Sequence, residues 1–448
     1  MNSKYDILVI GGGPAGLVSA VTANRYYPDK KIGLVKSISN GCIPCGIPYM
    51  FSSLKDPGEN KMGVAPLENI GADVISGEVV SIDREAKKVI LADKSDIAYE
   101  KLILAIGSVP FLPPIPGVEK DGVYPVYKDM DFLLPAIEKV KKGKHVVVIG
   151  GGFIGVEFAD EISKIEGMEV TLIEVLDRLM ANSFDQEFSK MAEEKLSGKK
   201  IHLLTNTSVK EIAGGDHVET VVLSSGEEIK ADSVILGTGA VPNTEIALSA
   251  GLDLGKGKGI WVDEYMRTID PDIFAVGDCA GKRDFYTRKD TPVMLASTAT
   301  AEARIAGANL FKLKVVRENK GTIAIYSTYV DGLVMGSAGL TEITAQKENF
   351  EIITGTAQAV DKHPGTLPGA KKVYVKLIFS KKSGIILGGQ VAGGMCCGEL
   401  INIIGMAIQQ RVSYTELETL QMATHPFVTA APTMYPIVKA ALDASGRM

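Results

Sequence analysis

Residues 5–16 read YDILVIGGGPAG, a short apolar run with a glycine-rich turn directly behind it. The apolar run predicts a buried strand, and the alanine-rich stretch that follows predicts a helix. In the pattern G-x-G-x-x-G the first glycine permits a tight turn, the second lets a pyrophosphate approach the backbone, and the third lets the helix pack closely. The loop therefore predicts a dinucleotide site at the helix N-terminus. We expect its contacting residues to be Gly11, Gly13, Pro14, Ala15 and Gly16.

A second copy of the pattern follows the apolar run KHVVVI at residues 144–149. A glycine-rich turn without a ligand would explain one copy, but two copies in the same strand-turn-helix context favour two dinucleotide sites. The next strand ends at Glu174, where a carboxylate accepts hydrogen bonds from ribose hydroxyls and repels a 2′-phosphate. This residue favours NADH over NADPH. The second loop contributes Gly150, Gly152, Ile154 and Gly155.

Three further segments fall in a fixed order around the two motifs. Residues 99–117 and 231–247 each contain a buried strand that ends in a small-Gly-x-x-Pro turn, and residues 268–280 form a strand that runs into a Gly-Asp pair. With the two glycine motifs, this order resembles the pyridine nucleotide-disulfide oxidoreductases over essentially the whole chain. The resemblance implies an α/β fold with two Rossmann-like dinucleotide-binding domains, for FAD and NADH, and a C-terminal α+β dimerisation domain.

The resemblance also divides the chain, makes it a homodimer and assigns residues. Asp278 would lie near the ribityl-pyrophosphate part of FAD, and Glu157 near the nicotinamide. The ribose ligand of the FAD site stays unassigned, because Lys36 stands where an acid is usual. The implied domains are FAD-binding (residues 1–112 and 246–318), NAD(H)-binding (113–245) and dimerising (319–448). The remaining expected cofactor contacts, in the two Gly-x-x-Pro turns, are Ala105, Gly107 and Gly239.

Residues 40–50, NGCIPCGIPYM, carry the chemistry that the resemblance implies. Relatives with a redox disulfide use the spacing C-x4-C. CGIPY is instead similar to the subgroup of coenzyme A disulfide reductases, NADH oxidases, NADH peroxidases and persulfide reductases, which assigns one reactive cysteine to Cys45. A thiolate, not a thiol, attacks a disulfide or a peroxide. We expect a helix beginning near Cys45 to lower the pKa of its thiol.

Cys42 leaves two interpretations open. It is either a resolving thiol that closes a C-x-x-C disulfide with Cys45, or a small buried residue without a redox role. A zinc knuckle would need two further ligands, and the adjacent pair Cys396–Cys397 is a poor source of them, so we expect no metal. That pair itself either relays electrons between subunits or packs as two small side chains.

A histidine near the C-terminus is the candidate acid. The disulfide-containing relatives use a His-Pro pair there, in which the histidine protonates the leaving thiol and a glutamate orients it. His425 and Pro426 match that pair, but Ala430 stands at the acidic position. His425 therefore either donates protons beside Cys45 of the partner subunit or shapes the interface as part of a turn.

Composition excludes several classes of function. The 448 residues carry a net charge of −6 and no basic tract, so nothing favours a nucleic-acid partner. No run is apolar enough for a membrane span. Five cysteines, an odd number in a long chain, do not describe a secreted disulfide framework. We therefore expect a cytoplasmic protein with a small-molecule substrate.

The combined hypothesis is an FAD enzyme that takes hydride from NADH and passes electrons through Cys45 to a sulfur substrate or to oxygen. The acceptor stays open among coenzyme A disulfide, persulfide, polysulfide, oxygen, peroxide and a protein disulfide. A coenzyme A disulfide is less favoured, because the first helix retains only Arg25 as a basic residue. An alternative is a reductase for a small partner protein such as rubredoxin or ferredoxin, which needs no thiol. A nucleotide sensor without chemistry is a third class.

Overall fold

A seven-stranded sheet forms around the first glycine motif in the computed structural model, which describes residues 3–447. Its spatial order is β3-β2-β1-β6-β5-β4, with a later strand added beside β6. The strands β3, β2, β1 and β6 run parallel, and β4 and β5 form an antiparallel hairpin. The elements are β1 (Ser3–Ile10), α1 (Pro14–Tyr26), β2 (Ile32–Lys36), α2 (Ala65–Glu68), β3 (Asp73–Ser76), β4 (Val79–Asp83), β5 (Lys88–Leu91), β6 (Asp96–Leu104) and β7 (Ser108–Pro110).

The second glycine motif lies in a separate sheet of five parallel strands, in the order β11-β10-β9-β15-β8. A three-stranded antiparallel sheet, β12-β13-β14, is attached to it. The elements are β8 (Val123–Pro125), α3 (Met130–Lys142), β9 (His145–Ile149), α4 (Phe153–Ser163), β10 (Glu169–Ile173), α5 (Gln186–Ser197), β11 (Ile201–Leu204), β12 (Val209–Ala213), β13 (Thr220–Leu223), β14 (Glu228–Lys230), β15 (Ser233–Leu236) and β16 (Ala240–Pro242).

The chain then returns to the first sheet. It passes through α6 (Glu245–Ser249), β17 (Ile273–Ala275) and α7 (Ala296–Ala308). β17 pairs in parallel with the end of β6, with Ile273 opposite Leu102. α7 packs against α1 so closely that a Cβ on Gly307 would lie 2.8 Å from the Ser19 carbonyl oxygen. The pairing of β17 with β6 therefore places the Gly-Asp turn beside the first glycine loop.

The C-terminal region is an antiparallel sheet in the order β18-β19-β22-β21-β20. α9 and α11 pack on it through a core that includes Ile401, Ile404 and Ala440. This arrangement confirms the predicted fold class. No helix within residues 3–447 has the length and apolarity to cross a membrane. The elements are β18 (Ile325–Val330), β19 (Leu333–Gly339), α8 (Glu342–Lys347), β20 (Ile352–Val360), β21 (Lys372–Ser380), β22 (Ile386–Gly393), α9 (Cys397–Gln409), α10 (Tyr414–Glu418) and α11 (Pro436–Ser445).

The two Gly-x-x-Pro turns meet between the nucleotide-binding units. Their strands β7 and β16 pair antiparallel. The Phe111 N–H donates to the Gly239 carbonyl at 2.9 Å, and the Asn243 N–H donates to the Gly107 carbonyl at 3.0 Å. Gly107 and Gly239 have φ values of +69° and +91°, which side chains rarely adopt. The two chain segments that connect the units therefore run side by side.

A buried ammonium joins the second unit to the C-terminal sheet. Lys376 on β21 places Nζ 2.9 Å from a carboxylate oxygen of Asp185, 2.7 Å from Glu187 and 2.6 Å from Glu342. Gln390 adds a hydrogen bond to Asp185 at 2.7 Å. Because buried charges are stable only when paired and hydrogen-bonded, this cluster holds β21 and α8 against the start of α5.

Candidate active site

The first glycine loop is shaped by close backbone contacts and opens at one position. A Cβ on Gly16 would lie 1.9 Å from the Gly11 carbonyl oxygen, and a Cβ on Gly11 would lie 2.1 Å from the Ala105 carbonyl oxygen. Gly13, in contrast, has no atom within 4 Å of where its Cβ would be. The loop ends at Pro14, the first residue of α1. The open space in front of this helix N-terminus fits a pyrophosphate.

The second loop repeats this geometry. A Cβ on Gly155 would lie 1.7 Å from the Gly150 carbonyl oxygen, whereas Gly152 faces open space. Glu174, directly after β10, accepts hydrogen bonds from the Gly151 N–H at 2.5 Å and the Leu176 N–H at 2.7 Å. The predicted ribose acid thus also supports the loop backbone. Ile154, on the first turn of α4, is exposed.

Lys36 takes a different role at the matching place in the first unit. Its side chain lies against Gly12, where a Cβ would be 3.1 Å from Lys36 Cβ. Its Nζ donates to the Ser39 carbonyl at 2.9 Å. Lys36 therefore packs on the glycine loop and supports the segment that leads toward the cysteines.

Asp278 lies in the tight turn after β17 and binds two donors. Its Oδ2 accepts a hydrogen bond from Ser108 Oγ at 2.8 Å and lies 3.1 Å from Lys128 Nζ. Lys128 also donates to Ser108 Oγ at 2.8 Å. Lys128 was not predicted from the sequence, because it lies in an irregular segment between β8 and α3 that matches no motif.

A buried ion pair supports the same turn from behind. Glu302 on α7 accepts the Gly277 N–H at 2.9 Å, and Lys282 Nζ lies 3.0 Å from the same carboxylate oxygen. Lys282 also donates to the Gly277 carbonyl at 2.6 Å. The exposed fractions are 1% for Glu302 and 7% for Lys282. Sequence reasoning missed this pair too, since its members are 20 residues apart.

Cys45 lies in a 3-10 turn, Pro44–Gly46, with a second such turn at Pro48–Met50. The expectation of a helix beginning near Cys45 is wrong, because Pro44 and Pro48 interrupt the pattern. The thiol is free and exposed. Asn60 holds the turn, since its Nδ2 donates to the Ile43 carbonyl at 3.0 Å. The loop therefore presents Cys45 from a rigid, non-helical support.

Electrostatics around Cys45 oppose the expected lowering of its pKa. Partial withdrawal from water raises the pKa of the Cys45 thiol, and the carboxylates of Glu157 and Asp278 raise it further. The ammonium of Lys128 acts in the opposite direction. The 3-10 turn thus does not provide the helix dipole that was expected to lower the pKa of Cys45. The ammonium of Lys128 favours the thiolate instead.

Cys42 lies in the apolar interior, with an exposed fraction of 1%. It belongs to the same core as Ile47 and Met50. Burial raises the pKa of its thiol to about 11, so Cys42 is a poor thiolate at neutral pH. Cys42 and Cys45 are both free thiols in the structure. A resolving role for Cys42 stays a prediction.

Glu157 lies on α4 and receives one hydrogen bond from the C-terminal sheet. Its Oε1 accepts from Thr328 Oγ1 at 2.7 Å. Burial raises the pKa of Glu157 to about 7; the Thr328 hydrogen bond opposes this rise, and the carboxylates of Glu161 and Asp160 add to it. A carboxyl group that titrates near neutrality is suited to proton-linked binding.

His425 lies in an exposed turn before α11. Its Nδ1 accepts the Phe427 N–H at 3.3 Å, and its carbonyl accepts the Thr429 N–H at 3.0 Å. Within residues 3–447, no hydrogen bond joins His425 to Cys45. Phe427 and Val428 are 58% and 65% exposed. The structure thus places His425 beside an uncovered apolar surface of its own chain.

The adjacent cysteines lie at the start of α9. Cys397 is buried, whereas Cys396 is partly exposed. A hydrogen bond from the Cys397 thiol lowers the pKa of Cys396, and the same bond, with burial, raises the pKa of Cys397. Buried packing accounts for Cys397, while the electron-relay interpretation of the pair stays untested.

Family models match nearly the whole chain. The family described as pyridine nucleotide-disulphide oxidoreductase matches residues 5–303. The dimerisation domain of the same family matches residues 325–435. These two regions contain both glycine loops, the cysteine segment and the antiparallel C-terminal sheet.

Individual relatives cover most of the chain as well. An NADH oxidase of Methanocaldococcus jannaschii is 30% identical over 98% of both chains. An NAD(P)H coenzyme A polysulfide/persulfide reductase of Pyrococcus horikoshii is 32% identical over 88% of both. Among solved structures, an NAD-dependent persulfide reductase from A. fulgidus is 31% identical and superposes with a TM-score of 0.91, covering 100% of this chain and 83% of that one.

Proposed function

The chain belongs to the pyridine nucleotide-disulphide oxidoreductase family of FAD- and NAD(P)H-dependent enzymes, and on this premise we propose that it passes electrons from NADH through Cys45 to a small sulfur compound. The observation that carries the proposal is the placement of one exposed thiol, in the CGIPY turn, within the electrostatic reach of Glu157, Asp278 and Lys128. Relatives named persulfide reductase support a sulfur acceptor, and relatives named NADH oxidase support oxygen as the second candidate.

Each of the two open glycine loops would bind one of the two cofactors. The first loop, with Asp278 and Lys128 opposite, would hold FAD, and the second, with Glu174 and Glu157, would hold NADH. When bound, FAD supplies the acceptor for a hydride and a donor of two electrons to sulfur. Glu174 supports NADH over NADPH, because its carboxylate would repel a 2′-phosphate.

Cys45 supplies the nucleophile. Its thiolate attacks one sulfur of a disulfide R–S–S–R′, forms a mixed disulfide Cys45–S–S–R, and releases R′–S⁻. Two electrons then cleave the mixed disulfide into the Cys45 thiolate and R–S⁻, and each released thiolate takes a proton. A persulfide or polysulfide reacts in the same way, with sulfide or a shortened chain as the product.

The first helix supports a small acceptor over a coenzyme A disulfide. A coenzyme A moiety carries phosphates that need several cations, whereas α1 has Arg25 as its single basic residue. A protein partner such as rubredoxin or ferredoxin is less favoured, because a direct electron transfer to it would need no thiol at the position of Cys45.

The proposal also includes the cellular location of the enzyme and its assembly into a dimer. We place the enzyme in the cytoplasm, since all five cysteines are free and the cycle needs a reduced thiol. We further propose a homodimer through the C-terminal domain, in which the exposed Phe427 and Val428 become covered and His425 approaches Cys45 of the partner subunit.

Anaerobic and aerobic assays test this function. NADH consumption is followed with polysulfide, a small persulfide, coenzyme A disulfide or oxygen as acceptor, in the unmodified enzyme and in Cys45→Ser and Cys42→Ala. We expect Cys45→Ser to abolish turnover with the sulfur acceptors and Cys42→Ala to retain it. Full activity of Cys45→Ser with every acceptor would refute the thiol route. Loss of activity in Cys42→Ala, with normal FAD content, would instead establish a dithiol.

A further inference from the structure

Helix α4 lies against β18 of the C-terminal sheet along one face. Phe153, Glu157 and Asp160 recur at intervals of four and three residues, which places them on one side of a helix. Tyr326 and Thr328 alternate on β18 and meet the first two of them. The Tyr326 ring stacks on Phe153 with centroids 4.8 Å apart, and the Thr328 hydroxyl donates to Glu157.

The contact continues beyond the strand. The Asp331 N–H donates to Asp160 Oδ2 at 3.4 Å, and Lys199 Nζ bridges Asp160 at 2.6 Å and Asp331 at 3.1 Å. Three positions on one face of α4 thus contact the C-terminal region. The middle one is Glu157, the residue assigned to the nicotinamide end of NADH.

A second face of α4 contacts the cysteine segment. The Ser53 N–H and hydroxyl both donate to the Glu161 carboxylate at 2.9 Å. Phe51 packs edge-on against Phe158 with centroids 5.2 Å apart. The helix that carries Glu157 is therefore held between the segment that presents Cys45 and a strand of the C-terminal sheet.

Thr328 is the hydrogen-bond donor that the structure provides to Glu157. Within residues 3–447, no other hydrogen bond and no salt bridge reaches this carboxylate. The charges that face it are negative: Asp160 and Glu161 on its own helix, and Cys45, when ionised, on the cysteine segment. Lys164 and Lys199 are engaged by Asp160 and Glu161. The Tyr49 hydroxyl also lies within electrostatic reach of Glu157.

We propose that Thr328 is a positioning residue of the NAD(H) site, which orients the Glu157 carboxylate from the C-terminal domain and favours its ionised form. The inference rests on the proposed function, since it takes NAD(H) as the ligand of the second loop. Thr328 is only 5% exposed, so water does not readily replace its hydroxyl. A hydrogen bond to a charged group contributes more than one between neutral groups.

Valine has the shape of threonine without the hydroxyl, so Thr328→Val removes the hydrogen bond with little change in packing. The ionised Glu157 then loses its donor, and its pKa rises by about one unit. NAD⁺ carries a positive nicotinamide ring and binds better to the carboxylate than to the neutral acid. The pH midpoint for NAD⁺ affinity therefore moves upward by about one unit in the variant.

The test is calorimetric titration of the FAD-loaded protein with NAD⁺ between pH 5.5 and 8.5, which involves no turnover. Thr328→Ser keeps the hydroxyl and should keep the midpoint of the unmodified protein. Thr322→Val is the matched control, because Thr322 is a buried threonine of the same region whose hydroxyl finds no hydrogen-bond partner among residues 3–447. Thermal unfolding of each variant is recorded beside the titration.

An upward shift in Thr328→Val, absent from Thr328→Ser and Thr322→Val, supports the inference. A folded Thr328→Val with an unmoved midpoint overturns it and leaves the proposed function intact. If Thr328→Val does not fold, Thr328→Cys, whose thiol is a weaker donor, should give a smaller upward shift, and no shift there counts against the inference. Failure of the unmodified protein to bind NAD⁺ at all would overturn the proposed function and this inference together.

Discussion

Lys128 Nζ lies 3.1 Å from Asp278 Oδ2, although the two residues are 150 positions apart. Ser108 completes the contact, with its Oγ 2.8 Å from both partners. One residue comes from the segment before α3, one from the turn after β17 and one from β7. Their meeting places an ammonium that lowers the pKa of the Cys45 thiol against the turn assigned to FAD.

Replacement of Lys128 by methionine should make the Cys45 thiolate harder to form. The ammonium lowers the pKa of Cys45, so its removal raises that pKa. At a pH below the midpoint of the Cys45 titration, the variant therefore has a smaller fraction of its Cys45 as thiolate. The measurement is the rate of iodoacetamide alkylation against pH in a Cys42→Ala background, with Cys45 modification quantified by mass spectrometry.

Two variants define the sign of this effect. Lys128→Arg retains the charge and should leave the alkylation midpoint in place. Glu157→Gln removes a carboxylate that raises the pKa of Cys45, so its midpoint should move downward. A midpoint that is the same in Lys128→Met and Glu157→Gln would contradict the electrostatic account of Cys45.

Alanine at two glycines of the second loop should separate folding from nucleotide binding. Gly152 has a φ of −74°, which any residue can adopt, and its Cβ would face open space. Gly152→Ala should therefore fold, bind FAD and lose NAD⁺ affinity by at least tenfold, because the methyl group fills the space for the pyrophosphate. Calorimetry with NAD⁺ and the absorbance of bound FAD provide the two readouts.

Gly155→Ala is the contrasting variant. Its Cβ would lie 1.7 Å from the Gly150 carbonyl oxygen, so the helix or the loop must shift. We expect a loss of roughly 3 kcal/mol in the free energy of unfolding, measured with urea. Equal stability of the two variants would show that the loop has more room than the structure gives it.

Lys282→Met should destabilise the first unit strongly. It leaves the Glu302 carboxylate buried without its charged partner, a change that typically costs about 3–5 kcal/mol. Urea unfolding measures the loss, and the FAD content of the purified protein shows whether the turn at Gly277 still holds its shape. Lys289→Met, which removes an exposed ion pair with Glu348, is the control and should cost less than about 1 kcal/mol.

The site residues that can be predicted from the sequence lie in short segments of the chain. Both glycine loops, the acid at Glu174, the Gly-Asp turn and the CGIPY cysteine are each contained in a dozen residues or fewer, so local pattern is sufficient to find them. The same reasoning failed at the Cys45 helix, because a thiol motif followed by an apolar run resembles a helix start while Pro44 and Pro48 enforce 3-10 turns.

The sequence by itself determined the fold class, the order of the two dinucleotide motifs and the position of the CGIPY cysteine, since each depends on residues that are neighbours in the chain. Tertiary structure alone decided what surrounds that thiol. Lys128, Asp278 and Glu157 come from separate elements, and Thr328 reaches Glu157 from a strand 171 residues away. Their distances depend on how whole sheets and helices pack, which no local pattern encodes. The electrostatic surroundings that set the pKa of Cys45 therefore arise only when the domains are packed together.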